Sequence, residues 1–320
     1  MNAGIKKLSA FLLANDDYVL FTHASADADT LGSAFALQYA LKKCGKTVEV
    51  YNPEPIPDRL TFLLFEGASL TNELPKGKKT LVSVDIASFA MLKGADEEYL
   101  KNLKFDYSID HHDVNTVRTS ELLCLPSYPA TGEIIAETVK ELGISYDKSL
   151  AVWLYAAISS DSGCFKYSST RPETYRIGAD LVETGIDFAW INRRLFECKT
   201  EGQILLEKDA YENLEFYYNG KVAFVCISDS ILADSRVCDS DTDAINQIPR
   251  QVKGVEVSAV IRRKGDEIKV SLRSNDYYDV AALAKSFGGG GHVHAAGCRF
   301  RTDAEDARQK LLDALKDEFS

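Results

Sequence analysis

The chain has 320 residues, 45% hydrophobic and 27% charged, with a formal net charge of −11. That composition fits a soluble globular protein of two ordinary domains, and no stretch approaches the ~18 consecutive apolar residues of a membrane span. The negative charge argues against a broad basic surface for long duplex nucleic acid, while leaving room for a small phosphate substrate in one local pocket.

The opening segment, MNAGIKKLSAFLLANDDYVL, reads as a first helix; its apolar patch is too short and too interrupted for a signal peptide. YVLFTH (18–23) predicts a buried strand, and LGSAFALQYALKKCG a helix stopped by Gly45. Strands TVEVY (47–51), TLVSVDIA (80–87) and FDYSID (105–110) follow, with helical stretches between them. ATGEIIAETVKELG (130–143) has the spacing of an amphipathic helix, and SLAVWLYAAISSD is apolar nearly all round, as a buried helix is. This alternation predicts an α/β fold with a parallel sheet covered by helices, which places ligands beyond the carboxyl ends of its strands.

Composition changes near residue 190, so the expected division is a catalytic domain at 1–190, a helical connector at 191–214 and a smaller α+β domain at 215–320. The active site is expected in the cleft between the two domains. In the second domain, Asn219-Gly220 between apolar runs signals a hairpin, and VEVSAVIRRKGDEIKVSLRS (255–274) signals another, turning at Lys264-Gly265-Asp266. A helix (279–287), a glycine run and a final helix (303–318) complete it. Seven cysteines with no CxxC pair cannot all be paired, which favours a reducing compartment and the cytoplasm.

Only five histidines occur, in three tight places: His23, His111-His112, and His292 with His294. HASADADTLGS (23–33) sets His23, Asp27 and Asp29 at a strand-to-helix turn, where Gly32-Ser33 could also present amides to a phosphate. Taken alone, Asp29 reads equally well as a helix cap. Asp85 ends an apolar strand, where a lone aspartate more often reads as a cap or turn residue, and IDHHD (109–113) puts Asp110, His111 and His112 after another. On extended backbone the two histidines would point to opposite sides. Asp161 follows a helix too apolar to end in a charge without reason.

Asp27, Asp29, Asp85 and Asp161 thus fall where one α/β domain would make them converge. Four carboxylates in one place repel by roughly 1–4 kcal/mol per pair at close range. Two divalent cations would relieve that. A ligand set of oxygen and imidazole without thiolate favours Mn²⁺, with Mg²⁺ as the alternative, over structural zinc. In the second domain Gly288 to Gly291 and His292, with Arg262, Arg273 and Ser274 on the hairpin, suggest a substrate clamp: glycine admits a close backbone approach and arginine binds phosphate bidentately. The clamp residues proper are Arg262, Arg273, Ser274, Gly289, Gly290, Gly291 and His292, with His294 a further possibility.

HASADADTLGS, Asp85, Asp110-His111-His112 and Asp161 resemble the four motifs of the DHH phosphoesterases. Arg262, SLRS (271–274) and GGGGHVHAAG (288–297) are similar to the DHH-associated C-terminal domain, as in NrnA-type oligoribonucleases and 3′-phosphoadenosine 5′-phosphate phosphatases. One departure is Ala26-Asp27-Ala28-Asp29, where the family often has Pro-Asp-Gly-Asp. The resemblance implies His23, Asp27 and Asp85 at a first metal, and Asp29, Asp85, His111 and Asp161 at a second. Asp85 would bridge, Asp110 would orient His111, and His112 would face the substrate phosphate, making Asp110 and His112 the catalytic pair. The implied reaction is two-metal hydrolysis of short RNA oligonucleotides, linear dinucleotides or 3′-phosphoadenosine 5′-phosphate to nucleoside 5′-monophosphates. A cyclic-dinucleotide phosphodiesterase, an inorganic pyrophosphatase and a non-catalytic nucleic-acid-binding module are the alternatives. A homodimer is left open.

Overall fold

The computed structural model describes residues 2–65, 67–92, 94–238, 242 and 245–319. The chain forms two compact units, Met1–Cys198 and Lys199–Ser320. In the first, helix α1 (Ala3–Ala14) and strand β1 (Tyr18–Phe21) lead into α2 (Ala28–Lys43) and β2 (Val48–Tyr51). Then come β3 (Thr80–Val84), α3 (Glu97–Asn102), β4 (Phe105–Asp110) and β5 (Thr119–Cys124). Helices α4 (Thr131–Glu141), α5 (Lys148–Asp161), α6 (Pro172–Glu183) and α7 (Phe188–Asn192) complete the unit.

The five strands run parallel in the order β2-β1-β3-β4-β5. All four residues of β1 are buried, as a strand hidden on both faces requires. The core lies between the sheet and helices α2, α4 and α5. Small residues let these helices approach closely. A side chain at Gly32 of α2 would come within 2.5 Å of the Trp153 carbonyl oxygen, and one at Gly132 of α4 within 2.5 Å of Ala157 Cβ. Gly32 and Ser33 are therefore packed inside, not free to present amides to a phosphate as their place near a helix start suggested.

The second unit holds α8 (Glu201–Glu212), β6 (Leu214–Tyr217), β7 (Val222–Cys226), α9 (Asp229–Leu232) and α10 (Gln247–Arg250). Strands β8 (Val257–Lys264) and β9 (Glu267–Ser274) precede α11 (Val280–Ser286), β10 (Gly290–His292), β11 (Ala295–Phe300) and α12 (Ala304–Phe319). Its sheet has the order β10-β11-β9-β8-β7-β6, antiparallel except between β7 and β8. The segment read as a connector is divided: Ile191 packs in the first unit's core, whereas Leu206 and Ala210 of α8 pack on Val225 and Val260 of the second. Part of the glycine run is regular structure, Gly290–His292 forming a short edge strand on β11.

Candidate functional site

The first unit gathers His23, Asp27, Asp29, Asp85, His111, His112 and Asp161 beyond the carboxyl ends of its strands. Asp27 caps α2, its Oδ1 accepting from the amides of Asp29 and Thr30 at 3.0 Å. This leaves Oδ2 3.7 Å from His23 Nε2. Asp85 is buried and follows β3 with φ 63, a left-handed backbone that costs an L-residue energy and aims its side chain off the strand's own alternation. Its Oδ2 stands 3.7 Å from His23 Nε2, and its Oδ1 3.6 Å from His111 Nε2 and 3.8 Å from His112 Nδ1. His111 Nε2 also lies 3.7 Å from Asp29 Oδ2 and 3.4 Å from Asp161 Oδ2.

Donors up to about 4.2 Å apart can share one cation at bond lengths near 2.1 Å, and every one of these separations is shorter. Three overlapping groups result: His23 with Asp27 and Asp85, Asp29 with His111 and Asp161, and Asp85 with His111 and His112. The chemistry of the donors, carboxylate and imidazole, fits hard divalent ions.

Charge in the centre tells the same story. Burial opposes a proton on His23, but Asp27 and Asp85 outweigh it and push the imidazole up to about 11. Burial likewise opposes charge on His111, and Asp161, Asp29 and Asp85 raise it to about 10. Burial and the neighbouring Asp85 and Asp161 drive the Asp29 carboxyl well above the ordinary range, and burial raises Asp161 too. The centre thus collects positive charge wherever it can, and without cations it does so as protons.

Two details differ from the sequence reading. Asp110 does not orient His111. Its Oδ1 accepts from His112 Nδ1 at 2.7 Å and from the amides of His111 and His112 at 2.8 and 3.3 Å, and Asn115 Nδ2 donates to its Oδ2 at 2.7 Å. His111 instead directs Nδ1 at the Tyr128 carbonyl oxygen, 3.2 Å away, which leaves Nε2 for the carboxylates. Nor do the two imidazoles point to opposite sides. The chain bends after Asp110 as both amides wrap its carboxylate, and the rings sit 4.9 Å apart, each facing Asp85.

Residues the sequence reading passed over complete the surroundings. Asn115 fixes Asp110, and its place five residues on in a polar loop was the only hint. Thr131 donates its hydroxyl to Asp85 Oδ1 at 2.9 Å and its amide to Asp29 Oδ2 at 2.7 Å, and the Gly132 amide reaches Asp29 Oδ1 at 2.8 Å. A threonine opening a helix ordinarily reads as local structure.

In the second unit, register decides which clamp residues share a face. Ser258, Arg273, Ala295 and His292 stand opposite one another across β8, β9, β11 and β10. Arg273 and His292 therefore flank the small Ala295 on one face. Arg262 shares that face but sits four residues further along β8, roughly 14 Å away at ~3.4 Å per residue, and is buried. Ser274 points to the other face, fully buried, with its hydroxyl 2.9 Å from His294 Nδ1. It supports His294 and, contrary to the sequence expectation, has no surface to offer a substrate. Gly289 and Gly291 are required by close strand approach: a side chain would meet the Gly297 and Ala295 carbonyl oxygens at 2.2 and 2.5 Å. Around Gly290 there is open space.

Residues 17–158 match the DHH family, N-terminal domain, and residues 220–320 match the DHHA1 domain. The chain is 29% identical over 302 residues to the bifunctional oligoribonuclease and PAP phosphatase NrnA of Thermus thermophilus, covering 93% of this chain and 89% of that one. It is 29% identical over 332 residues to the probable counterpart of Streptococcus mutans, covering 97% and 99%. Among solved structures, an exopolyphosphatase-related protein from Bacteroides fragilis superposes with a TM-score of 0.86 at 23% identity, covering 99% of this chain and 97% of that one. Exonuclease RecJ bound to manganese superposes at 0.54 and 16%, covering 99% and 95%. Both structural likenesses speak for the fold.

Proposed function

Because the chain belongs to the DHH family of phosphoesterases, we propose that it is a two-cation enzyme hydrolysing very short RNA, linear dinucleotides and 3′-phosphoadenosine 5′-phosphate. The observation that carries this is Asp85, one buried carboxylate whose two oxygens face two separate groups of ligands. His23, Asp27 and Asp85 would hold one cation, and Asp29, Asp85, His111 and Asp161 the other. When bound, such a pair supplies an activated water and stabilises charge on phosphate oxygens. Manganese is the first choice, in line with the manganese-bound RecJ. His112, held by Asp110 and part-exposed, is oriented to donate a hydrogen bond to a phosphate oxygen, since Asp110 keeps its imidazole charged more readily than usual. The substrate class follows the names of the relatives, which pair oligoribonuclease with PAP phosphatase. Seven free cysteines support a reducing compartment such as the cytoplasm. No helix of the described residues is long and apolar enough to cross a membrane.

Product analysis tests the assignment. Manganese-loaded protein should release nucleoside 5′-monophosphates from two- to five-nucleotide RNA and clear 3′-phosphoadenosine 5′-phosphate, far faster than it degrades a long single strand. The acidic surface argues for that length preference, since affinity for long strands needs many cationic contacts. Equal processing of a long strand would point to an open-groove exonuclease, and exclusive cleavage of cyclic dinucleotides to a cyclic-dinucleotide phosphodiesterase.

Arg273 and His292 are proposed to hold the part of the substrate remote from the scissile bond. Losing one charge-assisted contact costs about 1.5–3 kcal/mol. Arg273→Ala and His292→Ala should each lower kcat/KM on a dinucleotide by about tenfold to a hundredfold, mainly through KM. Both should keep their metals and lose much less on a minimal artificial phosphodiester. Equal losses on both substrates would place these residues in the catalytic centre.

A further inference from the structure

We propose that Thr131 is the positioning residue that lets one carboxylate serve two cations; the inference rests on the two-cation reading above. Thr131 is fully buried, so it has no surface for substrate. Its hydroxyl has a single proton to give and gives it to Asp85 Oδ1 at 2.9 Å. That bond fixes the plane of the carboxylate. Rotation about the Cβ–Cγ bond would swing Oδ1 away from His111 and His112 and carry Oδ2 away from His23.

The same residue's amide holds Asp29 Oδ2 at 2.7 Å, with the Gly132 amide on Oδ1 at 2.8 Å. One turn of α4 therefore orients two of the four clustered carboxylates, and positive amide ends are suited to that task. The turn itself cannot drift. Gly132 leaves no room beyond its hydrogen against Ala157, and the next residue, Glu133, is buried and bonded to Arg171 and Thr174. A hydroxyl held from so rigid an origin defines where Asp85 points, and through it how the two groups of ligands share one oxygen pair.

A plain packing role makes the opposite prediction for two conservative variants. Thr131→Val keeps the shape and loses the hydroxyl; Thr131→Ser keeps the hydroxyl and loses a methyl group. Metal-free wild type and both variants are titrated with Mn²⁺ by calorimetry, with thermal unfolding as the check on folding and electron paramagnetic resonance reporting spin coupling between the two ions. Wild type should bind two coupled ions. Thr131→Val should bind them about tenfold to a hundredfold more weakly, the usual loss when a partner of a ligand is removed, with coupling weakened. Thr131→Ser should stay close to wild type in both readouts. If Thr131→Val unfolds, Thr131→Ser alone decides: a folded Ser variant with weakened binding overturns the proposal. Wild-type binding by Thr131→Val overturns it as well. A wild type that binds fewer than two ions instead brings down the two-cation reading itself, and is recognised before any variant is compared.

Discussion

Asp85→Asn should leave a folded protein with almost no turnover. Asparagine tolerates the left-handed backbone that position 85 adopts, and its carbonyl oxygen can still accept the Thr131 hydroxyl. What disappears is the negative charge between His23 on one side and His111 on the other. Both proposed cations lose the ligand they share. A fall of about a thousandfold in kcat, roughly 4 kcal/mol of barrier, is expected together with lower manganese content at both sites. A folded variant retaining more than about a tenth of wild-type turnover, under 1.4 kcal/mol, would show that Asp85 is no bridge.

Stripping the cations should have as large an effect, and its pH dependence has a definite sign. Chelated protein should be inactive and should recover with Mn²⁺. In the metal-free centre His23 and His111 hold protons up to about 11 and about 10, well above the ~6.5 of a free imidazole. At neutral pH a cation must displace those protons. Apparent affinity should therefore climb with pH, by up to about tenfold per unit for each proton released. Manganese titrations in buffers of different ionisation enthalpy measure that release directly. Full activity in rigorously metal-free protein would refute the cation requirement, and pH-independent binding without proton release would remove the two histidines from the ligand set.

The sheet and the convergence of its aspartates and histidines were legible in the sequence for a physical reason. Parallel strands buried on both faces leave near-continuous apolar runs, so Asp85 at the end of LVSV stands out as a charge; alone it reads as a cap or turn residue, and its company with Asp110, His111 and His112 at another strand end is what marks a site. What escaped depends on bonds that sequence spacing does not encode. The bend that turns both imidazoles toward Asp85 arises because one buried carboxylate collects two amides and a ring nitrogen. Thr131 meets Asp29 across 102 residues and Asp85 across 46. The strand at Gly290–His292 is three residues long and glycine-rich, so no periodicity announces it. The start of the second unit at Lys199 escaped because the exposed face of α8 resembles a linker until Leu206 and Ala210 are seen buried.

The left-handed residue at the end of β3 also bears on how the molecule is made. His23, Asp85 and His111 follow three different strands, and Asp161 closes α5, the helix against which α2 packs most extensively. The bonds at Asp85 come from distant parts of the chain, its amide donating to the Ile109 carbonyl oxygen and its carboxylate accepting from Thr131 of α4, and such enclosing contacts are what hold a residue in so sparsely populated a conformation. A growing or partly folded chain therefore offers metals only scattered, mismatched carboxylates. The groups of ligands meet only where those distant segments pack together, which makes a complete ion site a property of the folded unit and not of any local stretch of chain.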